Sequence, residues 1–369
     1  MTNRNGYMLH GSLAKRGYDW WWHSFNGVNK ITGEIKPFFI EYFFINPAIS
    51  RDKVILGQLP SNDNKAQKPS YAMIKAGAWG KDKAQIHNFF PINKSFASKE
   101  MMKVTIGDNS ADDTALTGSV TLSDDEAKKH PEYMSQSGTM SWELKLDKKL
   151  KYSVGYGASW FFRAINTFMM YWHVEGMRTL YSGTVKYNGV EYEVRPETSY
   201  GYQDKNWGSD YTNPWIWLNC NNFTDQKTGL PTPETSLDAG GGRPVMFGRS
   251  FDRKFLVAFY HDGKMYEFNF SKFWRGDKQK FECKVLDDRV TWHVDSWNNK
   301  YKIEIDFYCP LETMLLVNYE NPDGYKNHKN LYNGGYAEGT VTLSQKKGKS
   351  YEIIGSFYGK NGGCEYGEY

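Results

Sequence analysis

The sequence lacks the signals that mark several common classes of protein. Basic and acidic residues nearly balance, at 46 against 42, and no basic block is present, so we expect no nucleic-acid partner. No run approaches the ~20 apolar residues of a membrane-spanning helix, and the first residues carry no apolar core of a secretory signal. We therefore expect a soluble, cytoplasmic protein.

Cysteine is scarce, and the common catalytic motifs are missing. Four widely spaced cysteines form no CxxC motif and no Cys/His pairing: Cys220, Cys283, Cys309 and Cys364. Neither a zinc site nor a redox motif is indicated, and free thiols are expected in the cytoplasm. The sequence also has no glycine-rich phosphate loop, GxSxG, HExxH or Rossmann signature. Any chemistry must then come from ordinary side chains, with no metal and no cofactor.

Aromatic residues, by contrast, are abundant and favour β-structure. They make up 17% of the 369 residues, with 26 Tyr, 22 Phe and 13 Trp, and such side chains fit the half-buried surface of a sheet. Hairpin signals recur at residues 188–189, 262–263, 297–299 and 346–349. Lys36–Asn46 is too apolar for clean alternation, which predicts a strand covered on both faces. The pattern predicts an all-β fold of barrels or a sandwich, and the length suggests two domains of ~150 residues.

One segment departs from the β pattern. Between Gly157 and Trp172, large apolar side chains recur at helical spacing. This predicts a helix or long loop that fills the space between two barrels. The alternative is a lid, or an element that touches a membrane transiently to admit a lipid.

The stretch from Ser199 to Phe223 is the most distinctive in the chain. After Pro214, aromatic and amide side chains alternate at period two, which predicts a strand that carries them on one face: Trp215, Trp217, Asn219, Asn221 and Phe223. A buried amide must find partners. Such a face suits a pocket for a large, mostly apolar ligand with a polar end, or a sandwich strand that ends in asparagines.

The same stretch carries a family resemblance. SYGYQDKNWG followed by WIWLNCNNF resembles the central motif of the tocopherol cyclase family, and five further segments match in order: GYDWWWHSF, EYFFINPAI, LDAGGG, FYHDGKMYEF and GGCEYGEY. The resemblance implies two lipocalin-like β-barrels in one chain, residues 1–195 and 196–369, with the substrate site at or between them. Plant members usually have Glu where this chain has Asp204, and the chain shows no plastid-type leader.

The resemblance implies a cyclisation in which an acid protonates an alkene of a prenyl tail and a phenol oxygen captures the cation. Asp204 is the candidate acid, because desolvation beside Trp207 and Tyr202 would raise its pKa. Lys205 should point to the opposite face of the strand. The rings of Trp207, Trp217 and Trp21 are candidates for stabilising the cation.

The other predicted site residues serve the polar end of the substrate or a second acid–base step. Asn206, Asn219 and Asn221 are candidates for binding a phenol or quinol head group, and Trp215 for lining the pocket. His173 is a second acid–base candidate, because an imidazole titrates near neutrality. The partner would be a small hydrophobic molecule or lipid.

Two other functions fit the same residues. One is a non-catalytic lipid carrier, and the other is a carotenoid-hydratase-like or pericyclic cyclase enzyme of the same fold. The same residues also have a purely structural interpretation, with the aromatic side chains as ordinary core residues and Asp204 as an anchor of a strand start through surface hydrogen bonds. A carrier needs no acid in its pocket. Whether Asp204 faces apolar surroundings or solvent is therefore the deciding structural feature.

Overall fold

The structure is a computed structural model that describes residues 4–57, 67–152, 169–211, 214–243, 245–246, 249–250, 252–325 and 330–368. The predicted all-β fold with barrel-like halves is confirmed, because the strands form a closed barrel and a half-barrel sheet. Most of the segment predicted to be helical, residues 157–172, lies outside the described residues. Its last residues, Met170 to Trp172, begin a strand rather than ending a helix.

The first sheet contains twelve antiparallel strands in the described part of the chain. They are β1 Tyr18–Asn29, β2 Ile35–Ile45, β3 Tyr71–Ala78, β4 Ala84–Phe90, β5 Ser95–Ala97, β6 Lys103–Ile106, β7 Asn109–Asp112, β8 Ala115–Leu122, β9 Gly138–Tyr152, β10 Met170–Tyr187, β11 Val190–Val194 and β12 Gly201–Gly208. Their order is β4-β3-β2-β1-β11-β10-β9-β8-β7-β6-β5, and β12 also pairs with β1 and β10. The sheet curls until Asn88 on β4 hydrogen-bonds the backbone of Thr121 on β8.

The second sheet is formed by the C-terminal half of the chain. The strands after β12 are β13 Trp215–Cys220, β14 Phe223–Asp225, β15 Ser236–Gly242, β16 Val245–Met246, β17 Arg249–Ser250, β18 Lys254–His261, β19 Lys264–Asn269, β20 Lys278–Val285, β21 Arg289–Trp297, β22 Tyr301–Pro310, β23 Leu315–Val317, β24 Asn330–Lys347 and β25 Ser350–Glu368. The main order is β19-β18-β15-β13-β25-β24-β22-β21-β20. In addition, β14 pairs with β25 and β23 pairs with β24, whereas β16 and β17 form a separate two-stranded sheet.

Helices are short in the described residues. The α-helix α1, Asp124–Lys129, begins with a capping box in which Ser123 and Glu126 bond each other's backbone N–H. Single 3-10 turns occur at Gly11–Ala14, Ile92–Lys94, Pro131–Tyr133, Phe273–Arg275 and Leu311–Thr313. No helix among the described ranges has the length and apolar character needed to cross a membrane.

The hairpins follow the turn signals in the sequence. Asn188 and Gly189 join β10 to β11 with φ angles of 46° and 85°. Both angles are positive, as a two-residue hairpin turn requires, and Asn-Gly tolerates them best. The signal at residues 262–263 likewise falls between paired strands, and those at 297–299 and 346–349 cover the turn and the adjoining strand ends. His261, at the end of β18, is half-buried, and its Nδ1 lies 2.9 Å from the hydroxyl of Thr235.

The chain passes from the first sheet to the second between Gly208 and Trp215. The short strand β11 pairs with β1 only at Val28 and Asn29, whereas β12 pairs with β1 from Tyr18 to Ser24. Both strands also pair with β10. Strands β11 and β12 therefore lie one after the other between β1 and β10, and Pro196 lies in the turn that connects them.

Strand β2 is covered on both faces, as its apolar run predicts. Every residue from Lys36 to Ile45 is buried. Tyr42 and Phe44 pack in the core of the first sheet, whereas Phe39 and Phe43 belong to a cluster that lies between the two sheets. The second sheet has its own hydrophobic core, which includes Trp292. The contact between the sheets is thus a third apolar core.

The four cysteines are free, as predicted. Cys220, Cys309 and Cys364 are buried, and Cys283 is half-buried. We expect thiol titration of the denatured, unreduced protein to count four groups. The native protein should react more slowly, because three of the sulfurs are shielded from solvent. A count of two in the denatured protein would show that a disulfide forms and would contradict this prediction.

Candidate active site

Strand β12 divides its side chains between two environments. Alternation places Tyr202, Asp204 and Asn206 toward the second sheet, and Lys205 and Trp207 into the interior of the first. Lys205 forms an ion pair with Asp19, and both side chains are fully buried. Its Nζ lies 3.8 Å from the ring centroid of Trp21 and 5.6 Å from that of Trp207. The prediction that Lys205 points away from Asp204 is confirmed.

Asp204 is buried between the two sheets, with 6% of its surface exposed. Its Oδ2 accepts hydrogen bonds from Nε1 of Trp172 at 2.7 Å and from the hydroxyl of Tyr202 at 3.3 Å. Its Oδ1 has no hydrogen-bond partner among the residues that the structure describes. Burial raises the pKa of Asp204 well above its ordinary value. A proton on Oδ1 would leave Oδ2 free to accept both bonds.

A second carboxyl group, Asp238 on β15, lies on the other side of Tyr202. Its Oδ1 accepts from Nε1 of Trp217 at 3.1 Å, and its Oδ2 lies 3.4 Å from the Tyr202 hydroxyl. Burial raises the pKa of Asp238 well above its ordinary range, and the charge of Asp204 raises it further. Each carboxyl group thus accepts one indole N–H, and the two groups share one hydroxyl. We call Asp204, Tyr202 and Asp238 the bridged carboxyl pair.

Glycines make room for the two indoles that hold the bridged carboxyl pair. A Cβ on Gly240 would lie 2.8 Å from Cζ3 of Trp172, and a Cβ on Gly363 would lie 2.5 Å from Cη2 of Trp217. Both distances are shorter than van der Waals contact allows. Gly240 of the LDAGGG segment and Gly363 of the GGCEYGEY segment therefore leave the space that these rings occupy.

We expect Gly240→Ala to displace Trp172 and weaken its hydrogen bond to Asp204. Overpacking of this kind costs about 1–3 kcal/mol of stability, and turnover should fall in addition. Gly355→Ala is the matched control, because its Cβ would lie 2.6 Å from the ring of Phe357, in the core of the second sheet. Denaturation and turnover assays of both variants test this. Equal turnover after equal loss of stability would contradict a role for Trp172.

A buried ion pair lies beside the bridged carboxyl pair on the face of the first sheet. Glu41 on β2 is bound to Lys75 on β3, and Trp22 lies in register between Glu41 and Asp204. The Nζ of Lys75 is 4.2 Å from the ring centroid of Tyr319, which lies just after β23. Trp22 Nε1 and Glu41 Oε1 have no hydrogen-bond partner within the described ranges.

Two further predicted residues lie close to Asp204. The ring of Trp215 packs edge-on against that of Trp172 at 5.8 Å, and its Nε1 donates to Glu365 at 2.7 Å. With its amide oriented to satisfy both neighbours, Asn206 accepts from Nε1 of Trp20 and donates to the backbone, at 3.2 Å each. Tyr202 and Trp217 contact each other directly, with ring centroids 5.1 Å apart.

Two of the predicted asparagines use their amide groups to bond backbone carbonyls and do not face an open site. Asn219 donates to the Leu237 carbonyl and Asn221 to the Gly201 carbonyl, each at 3.0 Å. The expected alternation also stops early, because β13 ends at Cys220. After two residues outside any strand, Phe223 enters the core of the second sheet.

Three predicted residues do not face Asp204. Trp207 and Trp21 lie with Lys205 on the opposite face of the first sheet, so Trp172, not Trp207, contacts the carboxyl group. His173 is paired in register with Lys205, and its Nε2 lies 2.9 Å from a carboxylate oxygen of Glu175. The period-two pattern of β12 already separated Asp204 from Trp207.

The sequence reasoning missed several groups at this site. Asp238 belongs to the LDAGGG segment, but its role was not recognised. Glu41 and Lys75 are single charges inside the apolar strands FFIEYFFI and YAMIKAGA. A charge in such a strand must be paired when it is buried, and that signal could have identified both residues. Trp172 lay in the segment interpreted as helical. No group of three His, Cys, Asp or Glu in the described part of the chain is placed to hold a metal ion.

Fold and site together define a two-sheet β protein with buried carboxyl groups among aromatic rings at an apolar sheet interface. This arrangement suits acid–base chemistry on a hydrophobic molecule. The chain belongs to the tocopherol cyclase-like family, whose pattern matches residues 50–368.

Individual relatives match over short segments or at low identity. A probable chloroplastic tocopherol cyclase of Oryza sativa subsp. japonica and a chloroplastic tocopherol cyclase of Zea mays are each 29% identical over 102 residues. That segment spans 27% of this chain and 20% of each plant protein. The crystal structure of kievitone hydratase from Nectria haematococca aligns over 99% of this chain and 95% of that one, with 12% identity and a TM-score of 0.46.

Proposed function

We propose that the chain is a tocopherol cyclase-like isomerase that acts on a prenylated aromatic compound or a related hydrophobic lipid. In this proposal Asp204 starts the reaction by protonating an alkene of the substrate. The observation that carries it is the state of Asp204: a buried carboxyl group with a raised pKa, whose Oδ1 lacks a partner among the described residues. A neutral carboxyl group near pH 7 is a usable acid.

The reaction needs a proton donor, a surface that stabilises a cation, and a shape that folds the prenyl tail. Asp204 gives its proton to one alkene carbon, the other carbon becomes a tertiary cation, and the phenol oxygen forms the new C–O bond. Loss of the phenol proton completes an isomerisation. Trp172 and Trp217 flank the carboxyl groups, and a ring face near a cation stabilises it by about 0.5–2 kcal/mol.

The carrier hypothesis explains the burial of Asp204 less well. A buried polar atom without a hydrogen bond costs about 1–3 kcal/mol, and that cost does nothing for the binding of an apolar ligand. Enzymes, in contrast, raise the pKa of a carboxyl group by such burial in order to use it as an acid. The carrier therefore remains the competing function that an experiment must exclude.

A panel of prenylated hydroquinones with tails of increasing length tests the proposal. Wild-type protein should convert at least one of them to a product of the same mass, and binding can be followed by tryptophan fluorescence. A product heavier by one water would instead indicate a hydratase. Binding of panel members without conversion of any of them would support the carrier and contradict the proposal.

A further inference from the structure

The bridged carboxyl pair joins the two sheets through a single hydroxyl group. Asp204 belongs to β12 of the first sheet and Asp238 to β15 of the second. The Tyr202 hydroxyl lies 3.3 Å from Oδ2 of Asp204 and 3.4 Å from Oδ2 of Asp238. A hydroxyl carries one proton, so it donates to one of these oxygens at a time. If both contacts are hydrogen bonds, the other carboxyl group must be protonated and donate to the tyrosine oxygen.

The remaining contacts give each carboxyl group one fixed donor. The indole N–H is a donor only, so Trp172 binds Asp204 and Trp217 binds Asp238 in either protonation state. No cation is bonded to Asp204 or Asp238 in the described ranges. Two adjacent carboxylates in an apolar interface repel each other, which favours a state in which they retain a proton between them.

We propose that Asp238 is the base of the same reaction, taking the proton of the attacking hydroxyl, and that Tyr202 returns this proton to Asp204. This inference rests on the proposed function. Asp238 lies on the opposite sheet from Asp204, and only the Tyr202 hydroxyl separates the two carboxyl groups. A substrate held between the sheets would therefore contact one carboxyl group on each side. An acid and a base joined by one donor form a closed path for the proton.

The steps balance without any co-reactant. Asp204 gives a proton to the alkene, whose π electrons form the new C–H bond and leave a carbocation. The substrate oxygen donates an electron pair to the cation to form the C–O bond, and its proton passes to the Asp238 carboxylate. Asp238 then donates to the oxygen of Tyr202 while Tyr202 gives its own proton to Asp204. Both carboxyl groups and Tyr202 end as they began, and the substrate has isomerised.

Other titratable groups act on the pair from both sheets. Carboxyl groups of Glu41 and Glu365 raise the pKa of Asp204 further. Burial raises the pKa of three nearby phenols, Tyr181, Tyr319 and Tyr152. Carboxyl groups raise it further: Asp204 for Tyr181, chiefly Glu365 for Tyr319, and chiefly Glu267 for Tyr152. Lys205 lies on the other face of β12 and is bound to Asp19. The tyrosines therefore stay neutral over the working range of pH, and the carboxyl groups dominate the titration.

The dependence of kcat/KM on pH tests the base directly. For wild type we expect a bell-shaped curve of kcat/KM against pH. The value falls at low pH because Asp238 becomes protonated, and at high pH because Asp204 loses its proton. Asp238→Asn should keep the high-pH limb, lose the low-pH limb, and lower kcat by ~10²–10⁴-fold. KM should change little, because the amide has the same volume. An Asp238→Asn variant with both limbs and the wild-type rate would overturn the inference.

Two further variants separate chemistry from packing. Tyr202→Phe keeps the ring beside Trp217 but removes the bridging hydroxyl, so kcat should fall while both limbs remain. Glu365→Gln is the matched control: Glu365 is half-buried on the second sheet and also accepts an indole N–H, from Trp215. It should keep both limbs. Loss of the low-pH limb in Glu365→Gln would assign the base to Glu365 and overturn the role of Asp238.

An infrared titration of the protonated carboxyl band tests the pair even if no panel member is converted. The band of Asp204, identified by its loss in Asp204→Asn, should titrate at lower pH in Asp238→Asn, because a neighbouring negative charge has been removed. An unchanged midpoint in both Asp238→Asn and Tyr202→Phe would show that the two carboxyl groups are uncoupled and would overturn the inference. A shifted midpoint without turnover would confirm that the two carboxyl groups are coupled, but it would refute the cyclase proposal and with it the role of Asp238 as the base.

Discussion

Replacing Asp204 by Asn should lower turnover by ~10²–10⁴-fold and leave the fold and ligand affinity close to those of wild type. The loss corresponds to roughly 3–5 kcal/mol of activation barrier, the usual contribution of one acid–base group. The amide fills the same volume and can still accept the N–H of Trp172, but it cannot protonate an alkene. Turnover of the prenylated hydroquinone panel measures the rate, and tryptophan fluorescence measures binding.

Two variants serve as controls for this result. Asp204→Glu keeps an acid at the position, so it should retain more turnover than Asp204→Asn. Trp207→Phe should stay near the wild-type rate, because Trp207 lies with Lys205 on the opposite face of β12. If Asp204→Asn converts substrate as fast as wild type, Asp204 is not the acid, and Asp238 becomes the next residue to replace.

Replacing Lys205 by Met should destabilise the first sheet by about 3–5 kcal/mol, because it leaves the Asp19 carboxylate buried without its partner. Burial raises the pKa of Asp19 to about 6 and lowers that of Lys205 to about 8, so both groups are charged between these values and the pair is ionic near pH 7. Asp19 also accepts the backbone N–H of Met8 at 2.7 Å. Urea denaturation at pH 7 measures the loss.

The double variant Asp19→Asn with Lys205→Met provides the control for that measurement. Replacing both charged partners removes the unpaired charge, so much of the lost stability should return. If the double variant is destabilised by the sum of the two single changes, the two side chains do not interact as a pair. A wild-type midpoint for Lys205→Met alone would contradict the buried ion pair.

The Asp-Lys-Asn-Trp-Gly segment therefore places residues with different roles on the two faces of β12. Asp204 faces the second sheet and the bridged carboxyl pair, whereas Lys205 stabilises the interior of the first sheet through Asp19. Because neighbouring residues on a strand point in opposite directions, a short motif can combine a site residue with a structural one. Resemblance to a motif does not by itself assign all its residues to catalysis.

The fold was largely predictable from local signals. The Asn-Gly and Asp-Gly turns located their hairpins, and the apolar run from Lys36 indicated a strand buried on both faces, because these features depend on neighbouring residues. The sheet boundary was not predictable in this way. It depends on β11 and β12 both pairing with β1, and this pairing joins parts of the chain that are distant in sequence.

The site was predictable only in part, for the same reason. The reasoning selected Asp204, Tyr202 and Trp217, which the structure brings together. It could not find that Trp172 and Asp238 complete their hydrogen bonds, because these residues lie 32 and 34 positions from Asp204. They approach it only in the folded chain, Trp172 from the neighbouring strand β10 and Asp238 from the second sheet. It placed Trp207 beside Asp204 although alternation along β12 sets them on opposite faces.

Product analysis after conversion in heavy water tests the central claim most directly. If Asp204 protonates an alkene, wild-type protein should give a cyclic product with one carbon-bound deuterium from solvent, and Asp204→Asn should give almost none in the same time. A cyclic product without carbon-bound deuterium would indicate a pericyclic reaction, in which no proton is added. Such a product, formed equally fast by Asp204→Asn, would contradict acid-initiated cyclisation.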